Sequence, residues 1–280
     1  MGRKRRSSGY RRPSGGLLPI IIGIAVVGIM AGLTEMGQNS SSNNGSGDTP
    51  KLRTADQATK AAMSWAGTVG VEDLSPSSLD QNRIRRNYVL AIDASGSMGD
   101  NDSCAPGTDP KFSVVRPAVS EFLNSLGPED YISLVSFQGE QVQVLVPLGP
   151  NRPGVILPAI DSIRPGGGTP IGLTLQSAMK LLEDQAQRQA GYGEYNIVLV
   201  TDGAASDKAL MLQMLDRITI ETPIVIQTVG FCIGRNHALN DPSRVIYRSA
   251  DNGEALRQGL TAAVAEAADF DGSSFEQLNN

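Results

Sequence analysis

The sequence is poor in aromatic and charged side chains. Of its 280 residues, 5% are aromatic, with a single tryptophan, Trp65, and 19% are charged. So few rings argue against a protein that stacks single-stranded nucleic acid on aromatic side chains. Hydrophobic residues make up 40%, which is enough for a buried core and excludes a chain that is disordered throughout.

Acidic residues are absent from the first 16 positions, which hold six of the 24 basic residues. The remaining 264 residues contain 18 Lys and Arg against 29 Asp and Glu, a net charge of −11, whereas the whole chain has −5. A basic N-terminal segment followed by an acidic body does not fit a general nucleic-acid-binding domain. We therefore expect no nucleic-acid partner.

Residues 17–33 contain neither a charged residue nor a hydroxyl group. As a helix they would span about 26 Å, near the lower limit for crossing a bilayer. A buried core helix is rarely apolar on all sides next to six cations. The run is longer than the apolar part of most signal peptides, and the small residues Ala31 and Gly32 do not complete an A-x-A-like cleavage site. We therefore expect an uncleaved single-pass anchor, with a cleaved signal peptide as the alternative.

The positions of the basic residues predict an orientation in the membrane. Basic segments stay in the cytoplasm, so the N-terminus is expected there and the chain after the anchor on the periplasmic or extracellular side. Gly28 and Gly32 form a G-x-x-x-G pair that could pack two anchors into a homodimer, although glycine is common in membrane helices. A capping-box pattern at Thr54 predicts a short helix through Trp65, either on the membrane surface or against the main domain.

From about Arg86 onward, apolar segments alternate with amphipathic ones. Strands rich in Val, Ile and Leu with helices between them indicate a mostly parallel sheet that is covered on both faces. Ligands of such sheets bind at the carboxyl ends of the strands. The predicted strands are 88–92, 131–137, 141–146 (an edge strand, because polar and apolar residues alternate), 196–200 and 224–229, and the predicted helices are 112–126, 155–163, 170–187, 207–218 and 252–267.

Three segments at the predicted carboxyl edge supply small oxygen-bearing side chains. Asp93, Ser95 and Ser97 follow the first strand, Thr169 follows three glycines, and Asp202 follows a later strand. Each alone has an ordinary explanation as a cap or turn residue. Together they form an all-oxygen set, in which hydroxyls and two carboxylates with room for water suit Mg²⁺ better than Ca²⁺. The sequence therefore predicts a divalent-cation site, for which Mn²⁺ and Ca²⁺ are alternatives to Mg²⁺.

The segment 86–268 resembles a von Willebrand factor type A domain, and the five residues match the metal-ion-dependent adhesion site of that family. The D-x-S-x-S element is Asp93, Ser95 and Ser97, the distal threonine is Thr169, and the distal aspartate is Asp202. The resemblance implies a doubly wound, Rossmann-like α/β sheet with one antiparallel edge strand. It also implies that the hydroxyls bind the metal directly, that the aspartates act partly through water, and that a carboxylate of a partner protein completes the shell.

The two cysteines, Cys104 and Cys232, are 128 residues apart. Cys104 lies in a polar loop just after the metal motif and Cys232 follows a predicted strand, so both are expected on the face that carries the metal site. An exported domain permits a disulfide between them. Two separate thiols are the alternative.

Few residues support enzymatic activity. Phosphatases that place an aspartate after the first strand need a second carboxylate two residues later, where this chain has Ser95. The one histidine, His237, lies in a polar stretch and is predicted to be a surface-loop residue. The sequence also lacks G-x-S-x-G, H-E-x-x-H and P-loop motifs. A Mg²⁺-dependent hydrolase is therefore disfavoured.

We expect a membrane-anchored module of a bacterial envelope complex, which binds or scaffolds proteins that present Asp or Glu to its metal. The alternative is a non-catalytic accessory subunit of an assembly or metal-insertion machine. The predicted organisation is a basic cytoplasmic head at 1–16, a transmembrane anchor at 17–33, a linker with a possible short helix at 34–85, a von Willebrand factor type A domain at 86–268, and a polar tail at 269–280.

Overall fold

A computed structural model describes Trp65, residues 79–101 and residues 103–268, the last three as backbone only. The predicted anchor with Gly28 and Gly32, the basic head, most of the linker and the tail lie outside these residues. Within the described part of the chain, no helix combines the length and the apolar character needed to span a membrane.

A six-stranded sheet organises the domain, in the order β3-β2-β1-β4-β5-β6. All neighbouring strands run parallel except β3, which lies at one edge and pairs antiparallel with β2. This confirms the predicted α/β sheet with one antiparallel edge strand. The strands are β1 (Arg86–Asp93), β2 (Tyr131–Gln138), β3 (Gln141–Pro150), β4 (Glu194–Thr201), β5 (Val225–Phe231) and β6 (Ile246–Ala250).

Both faces of the sheet are covered by helices, which explains the unbroken apolar runs in the central strands. In β1, Tyr88 and Leu90 pack into the hydrophobic core on one face, while Val89 and Ala91 pack into the core on the other. Helices α1, α2 and α5 contribute to the first core, and α3 and α4 to the second. The helices are α1 (Val115–Ser125), α2 (Pro153–Asp161), α3 (Ile171–Arg188), α4 (Lys208–Glu221) and α5 (Gly253–Ala268).

The sequence prediction missed β6. This strand has only five residues, and its three central ones, Tyr247 to Ser249, are partly exposed. Such a segment has neither a long apolar run nor a clear alternation of apolar and polar residues. Strand β3 also extends four residues beyond its predicted end, past Pro147, because an edge strand tolerates a residue that cannot donate a backbone hydrogen bond.

The packed domain includes residues that the sequence prediction assigned to the linker. Trp65 is 3% exposed and its ring centroid lies 5.6 Å from that of Tyr195. The backbone N–H of Asp80 donates to the carbonyl of Arg188 at 2.7 Å, and the Asp80 carboxylate pairs with Arg85. Of the two surfaces considered for the segment around Trp65, the structure places this side chain against the domain.

Candidate metal centre

Asp93 ends β1 at the carboxyl edge of the sheet, and its carboxylate is fully buried. Oδ1 accepts a hydrogen bond from the backbone N–H of Ser95 at 2.7 Å, and Oδ2 accepts one from the hydroxyl of Thr201 at 2.6 Å. Burial raises the pKa of the Asp93 carboxyl to about 6, against the lowering effect of the hydrogen bonds from Ser95 and Thr201. Both oxygens are thus oriented by the protein itself. Thr201 was not predicted as a site residue, although its place directly before Asp202, at the end of a strand next to β1, indicates it.

A chain of hydroxyl contacts joins the end of β1 to the end of β4. The hydroxyl of Ser97 donates to Oδ1 of Asp202 at 2.7 Å, and the hydroxyl oxygens of Ser95 and Ser97 lie 3.1 Å apart. Because a serine hydroxyl has a single proton, Ser95 is the donor in the contact with Ser97. The structure therefore brings four of the five predicted residues, Asp93, Ser95, Ser97 and Asp202, into one continuous hydrogen-bonded group.

Thr169 reaches the same place from the glycine-rich loop before α3. Gly167 has a φ of +74°, and a Cβ on it would lie 2.8 Å from Cα of Gly139, so this loop requires glycine. A Cβ on Gly203 would lie 3.3 Å from Oγ1 of Thr169 and 3.8 Å from Oγ of Ser97. The hydroxyls of Thr169 and Ser97 thus both lie against the bare Cα of Gly203, the residue after Asp202.

Lys111 is a component of the site that sequence analysis did not identify. Its side chain is 8% exposed, and Nζ forms an ion pair with Oδ2 of Asp202 at 2.5 Å. This oxygen is buried and faces the Lys111 ammonium. Lys111 follows a polar loop, and nothing in its sequence pattern indicates where that loop turns.

The arrangement of these donors fits a hard divalent cation. Within the described residues, His, Cys, Asp and Glu side chains form no cluster of three or more that could hold a metal, so a cation here would depend on hydroxyl ligands. The buried Oδ2 of Asp202 already attracts a cation, the Lys111 ammonium. The hydroxyls of Ser95, Ser97 and Thr169 and the carboxylates of Asp93 and Asp202 are the groups that would hold such an ion. A bound ion would supply an electrophilic centre for an anionic oxygen.

A disulfide joins Cys104 to Cys232, with their Cα atoms 6.1 Å apart. It connects the loop after the metal motif to the segment after β5, where the N–H of Cys232 donates to the carbonyl of Ala250 at 2.8 Å. A bridge between Asn101 and Pro110 closes the base of the first loop. The loop that leads into Lys111 is therefore held at its base and at Cys104.

His237 lies closer to the site than the prediction of a surface loop implies. It is in a loop, but it is half-buried, and its Nε2 lies 2.9 Å from the carbonyl oxygen of Gly203. Its ring stacks on Tyr247 with centroids 6.3 Å apart. Burial lowers the pKa of His237, opposed by the contact with Gly203. The histidine therefore supports the backbone next to Asp202.

Comparisons with known proteins agree with this fold. Residues 88–204 match the family model of the von Willebrand factor type A domain. The magnesium-chelatase 67 kDa subunit of Chlorobaculum tepidum is 29% identical over 153 residues, which are 54% of this chain and 23% of the relative. The corresponding subunit of Chlorobaculum parvum is 27% identical over 152 residues, 54% of this chain and 22% of the relative. The chain thus spans less than a quarter of the length of these curated relatives.

Solved structures show the same architecture at low identity. A von Willebrand factor type A protein from Catenulispora acidiphila superposes with a TM-score of 0.53 and 17% identity, over 66% of this chain and 43% of that one. The pilus adhesin SpaC from Lactobacillus rhamnosus GG superposes with a TM-score of 0.55 and 18% identity, over 67% of this chain and 31% of that one. The family model and these neighbours support a domain of the von Willebrand factor A type.

Proposed function

We propose that this domain binds a partner protein through a divalent cation, most favourably Mg²⁺, held by Asp93, Ser95, Ser97, Thr169 and Asp202. The observation that carries the proposal is the hydrogen bond from Ser97 to Asp202. It brings the hydroxyl-bearing loop after β1 and the carboxylate after β4 to one point at the centre of the sheet edge. The glycine-rich loop before α3 is the third segment and contributes the Thr169 hydroxyl, which lies against Gly203.

The surroundings of Asp93 support an electrophilic ion. Both oxygens of this carboxylate accept hydrogen bonds from the protein, from Ser95 N–H and the Thr201 hydroxyl. A carboxylate held in this way favours contact with a cation through water. The cation then keeps much of its positive charge and prefers an additional anionic ligand. An Asp or Glu side chain of the partner would supply that ligand.

A capture experiment with matched variants tests the proposal. Wild-type chain, Asp202→Ala and Asp184→Ala are immobilised in Mg²⁺ with and without a chelator; Asp184 is an exposed carboxylate on α3 and serves as the control. We expect proteins that bind wild type and Asp184→Ala in Mg²⁺, dissociate on chelation, and do not bind Asp202→Ala. Binding that survives both chelation and Asp202→Ala would contradict a metal-dependent interface.

We also propose that the chain is not itself an enzyme. The half-buried His237 contacts Gly203 and Tyr247, and the Lys111 ammonium pairs with Asp202. The side chains of His237 and Lys111 are thus engaged with the protein. A screen of phosphate esters with Mg²⁺ or Mn²⁺ tests this point. Turnover that disappears in Asp93→Ala would contradict it.

The similarity to the magnesium-chelatase 67 kDa subunits favours a second function, that of an accessory subunit in a metal-insertion or assembly machine. The two proposals differ in location. We propose a single-pass anchor at 17–33 with the domain outside the membrane, which the six preceding cations and the disulfide support. Reporter fusions at the C-terminus discriminate between them: activity outside the membrane favours the envelope module, and activity in the cytoplasm favours the accessory subunit, because ATP-driven partners work there.

A further inference from the structure

Lys111 carries a fixed positive charge into the candidate metal centre. Its ammonium lies 2.5 Å from Oδ2 of Asp202, and the two side chains are 8% and 0% exposed. The backbone holds it in place, because the N–H of Lys111 donates to the carbonyl of Asp100 at 3.0 Å and a 3-10 turn begins at Lys111. The charge is therefore a built-in part of the site rather than a flexible surface lysine.

A charge in this position acts on any cation that Asp202 attracts. Without a divalent ion, the ammonium neutralises a buried carboxylate whose other oxygen accepts a hydrogen bond from the Ser97 hydroxyl. With a divalent ion in place, two cations share the same carboxylate in a region where water screens little. The ammonium and the divalent ion repel each other. The free energy of divalent-cation binding therefore includes the cost of weakening the Lys111 ion pair with Asp202.

We infer that Lys111 is a resident cation of Asp202, which stabilises the metal-free site and lowers its affinity for a divalent cation. This inference rests on the proposed metal-binding function. Lys111 lies outside the D-x-S-x-S element, the threonine and the distal aspartate. Its role is to set the divalent-cation concentration at which the domain becomes able to bind its partner.

Calorimetric titration of MgCl₂ into the purified full chain tests the inference. Lys111→Met keeps the length and the apolar stem but removes the charge, and we expect it to bind Mg²⁺ about tenfold or more tightly than wild type. Lys111→Arg keeps the charge, and its affinity should stay close to that of wild type. Lys111→Gln is a second neutral variant in case the methionine variant does not fold.

Arg86→Met is the matched control. It removes the cation of another partly buried ion pair, with Asp130 at 2.8 Å, at the opposite end of β1. This variant should lose stability without a change in Mg²⁺ affinity. A second readout is thermal unfolding without metal, in which Lys111→Met should have a lower Tm than wild type, followed by a larger rise in Tm on addition of Mg²⁺.

The outcomes separate this inference from the proposed function. If wild type binds Mg²⁺ and Lys111→Met binds it no more tightly, the inference is wrong and the metal site stands. If only the neutral variants bind measurably, the inference is supported. If none of the proteins binds Mg²⁺, Mn²⁺ or Ca²⁺, both the site and the role of Lys111 are wrong.

Discussion

The hydroxyl of Ser97 donates to the carboxylate of Asp202 at 2.7 Å and so connects the loop after β1 with the end of β4. Ser97→Ala removes this bond together with a proposed metal ligand. We expect a loss of about 1–3 kcal/mol in the free energy of unfolding, since the acceptor is charged and buried. The stabilisation by Mg²⁺ should also disappear. Urea denaturation with and without Mg²⁺ measures both effects.

Ser177 is a half-buried serine on α3. Ser177→Ala is the control for Ser97→Ala and should leave the free energy of unfolding and its increase by Mg²⁺ unchanged. Retention of the full Mg²⁺ stabilisation by Ser97→Ala would exclude this hydroxyl as a ligand.

The start of α3 requires glycine at position 172. A Cβ there would lie 2.5 Å from the backbone nitrogen of Met211 and 2.8 Å from Oδ2 of Asp207, which caps α3 by accepting the N–H groups of Gly172 and Leu173. Gly172→Ala should therefore force α3 and α4 apart and cost about 1–3 kcal/mol. Gly154→Ala in α2, where a Cβ meets nothing within 4 Å, should be neutral or slightly stabilising. Equal unfolding midpoints for the two variants would show that the helices adjust freely.

The disulfide should make a large contribution to stability. The bonded cysteines are 128 residues apart, and the chain-entropy model gives about 4–5 kcal/mol for a loop of that length. The double variant Cys104→Ser, Cys232→Ser should be destabilised by an amount up to this value, and wild type should lose a similar amount in dithiothreitol. The double variant should not respond to dithiothreitol. A double variant that is as stable as oxidised wild type would contradict a structural role for the bond.

The imidazole of His237, the single histidine of the chain, reports on its own surroundings through its pKa. Burial lowers the pKa of His237 below its ordinary value of 6.5, so the unfolded chain takes up a proton before the folded protein as pH falls. The contribution of the neutral, buried His237 to the free energy of unfolding is therefore complete above pH 6.5 and is lost as the pH decreases below that value. NMR titration of the imidazole should give a midpoint below 6.5. His237→Asn should remove the part of the pH dependence of unfolding that comes from this histidine, and an imidazole midpoint at or above 6.5 would refute the buried environment.

The central strands could be predicted because burial on both faces leaves an unambiguous apolar run. Strands β1 and β4 are such runs. Because they are parallel, Asp93 at the end of β1 and Asp202 directly after β4 lie at the same edge of the sheet. Strand β6 could not be predicted, since its three central residues are partly exposed and include Arg248. A strand of this kind is defined by its neighbour rather than by its own sequence.

The candidate site was predictable to the extent that its residues follow strands or open helices. Ser95, Ser97 and Thr169 belong to short motifs with a defined place relative to the sheet. Lys111 reaches Asp202 from a loop whose path depends on the Asn101–Pro110 bridge and on the disulfide. The bridge lies in an irregular segment and the disulfide joins residues far apart in sequence, so neither contact could be predicted from a local pattern. Metal binding by the five residues stays a prediction that the titrations above can test.

The bond between Cys104 and Cys232 has a consequence for the engineering of new specificities. The oxygen-bearing side chains lie at the ends of β1 and β4, in the turn after β1 and in the glycine-rich loop before α3, whereas the segments joined by this bond form part of the adjoining surface. Under the proposed function, grafting such surface loops from a related domain would change which partner protein binds, while the five oxygen-bearing residues are retained. These two segments would have to be exchanged together, because a graft of only one would break the disulfide and leave an unpaired thiol.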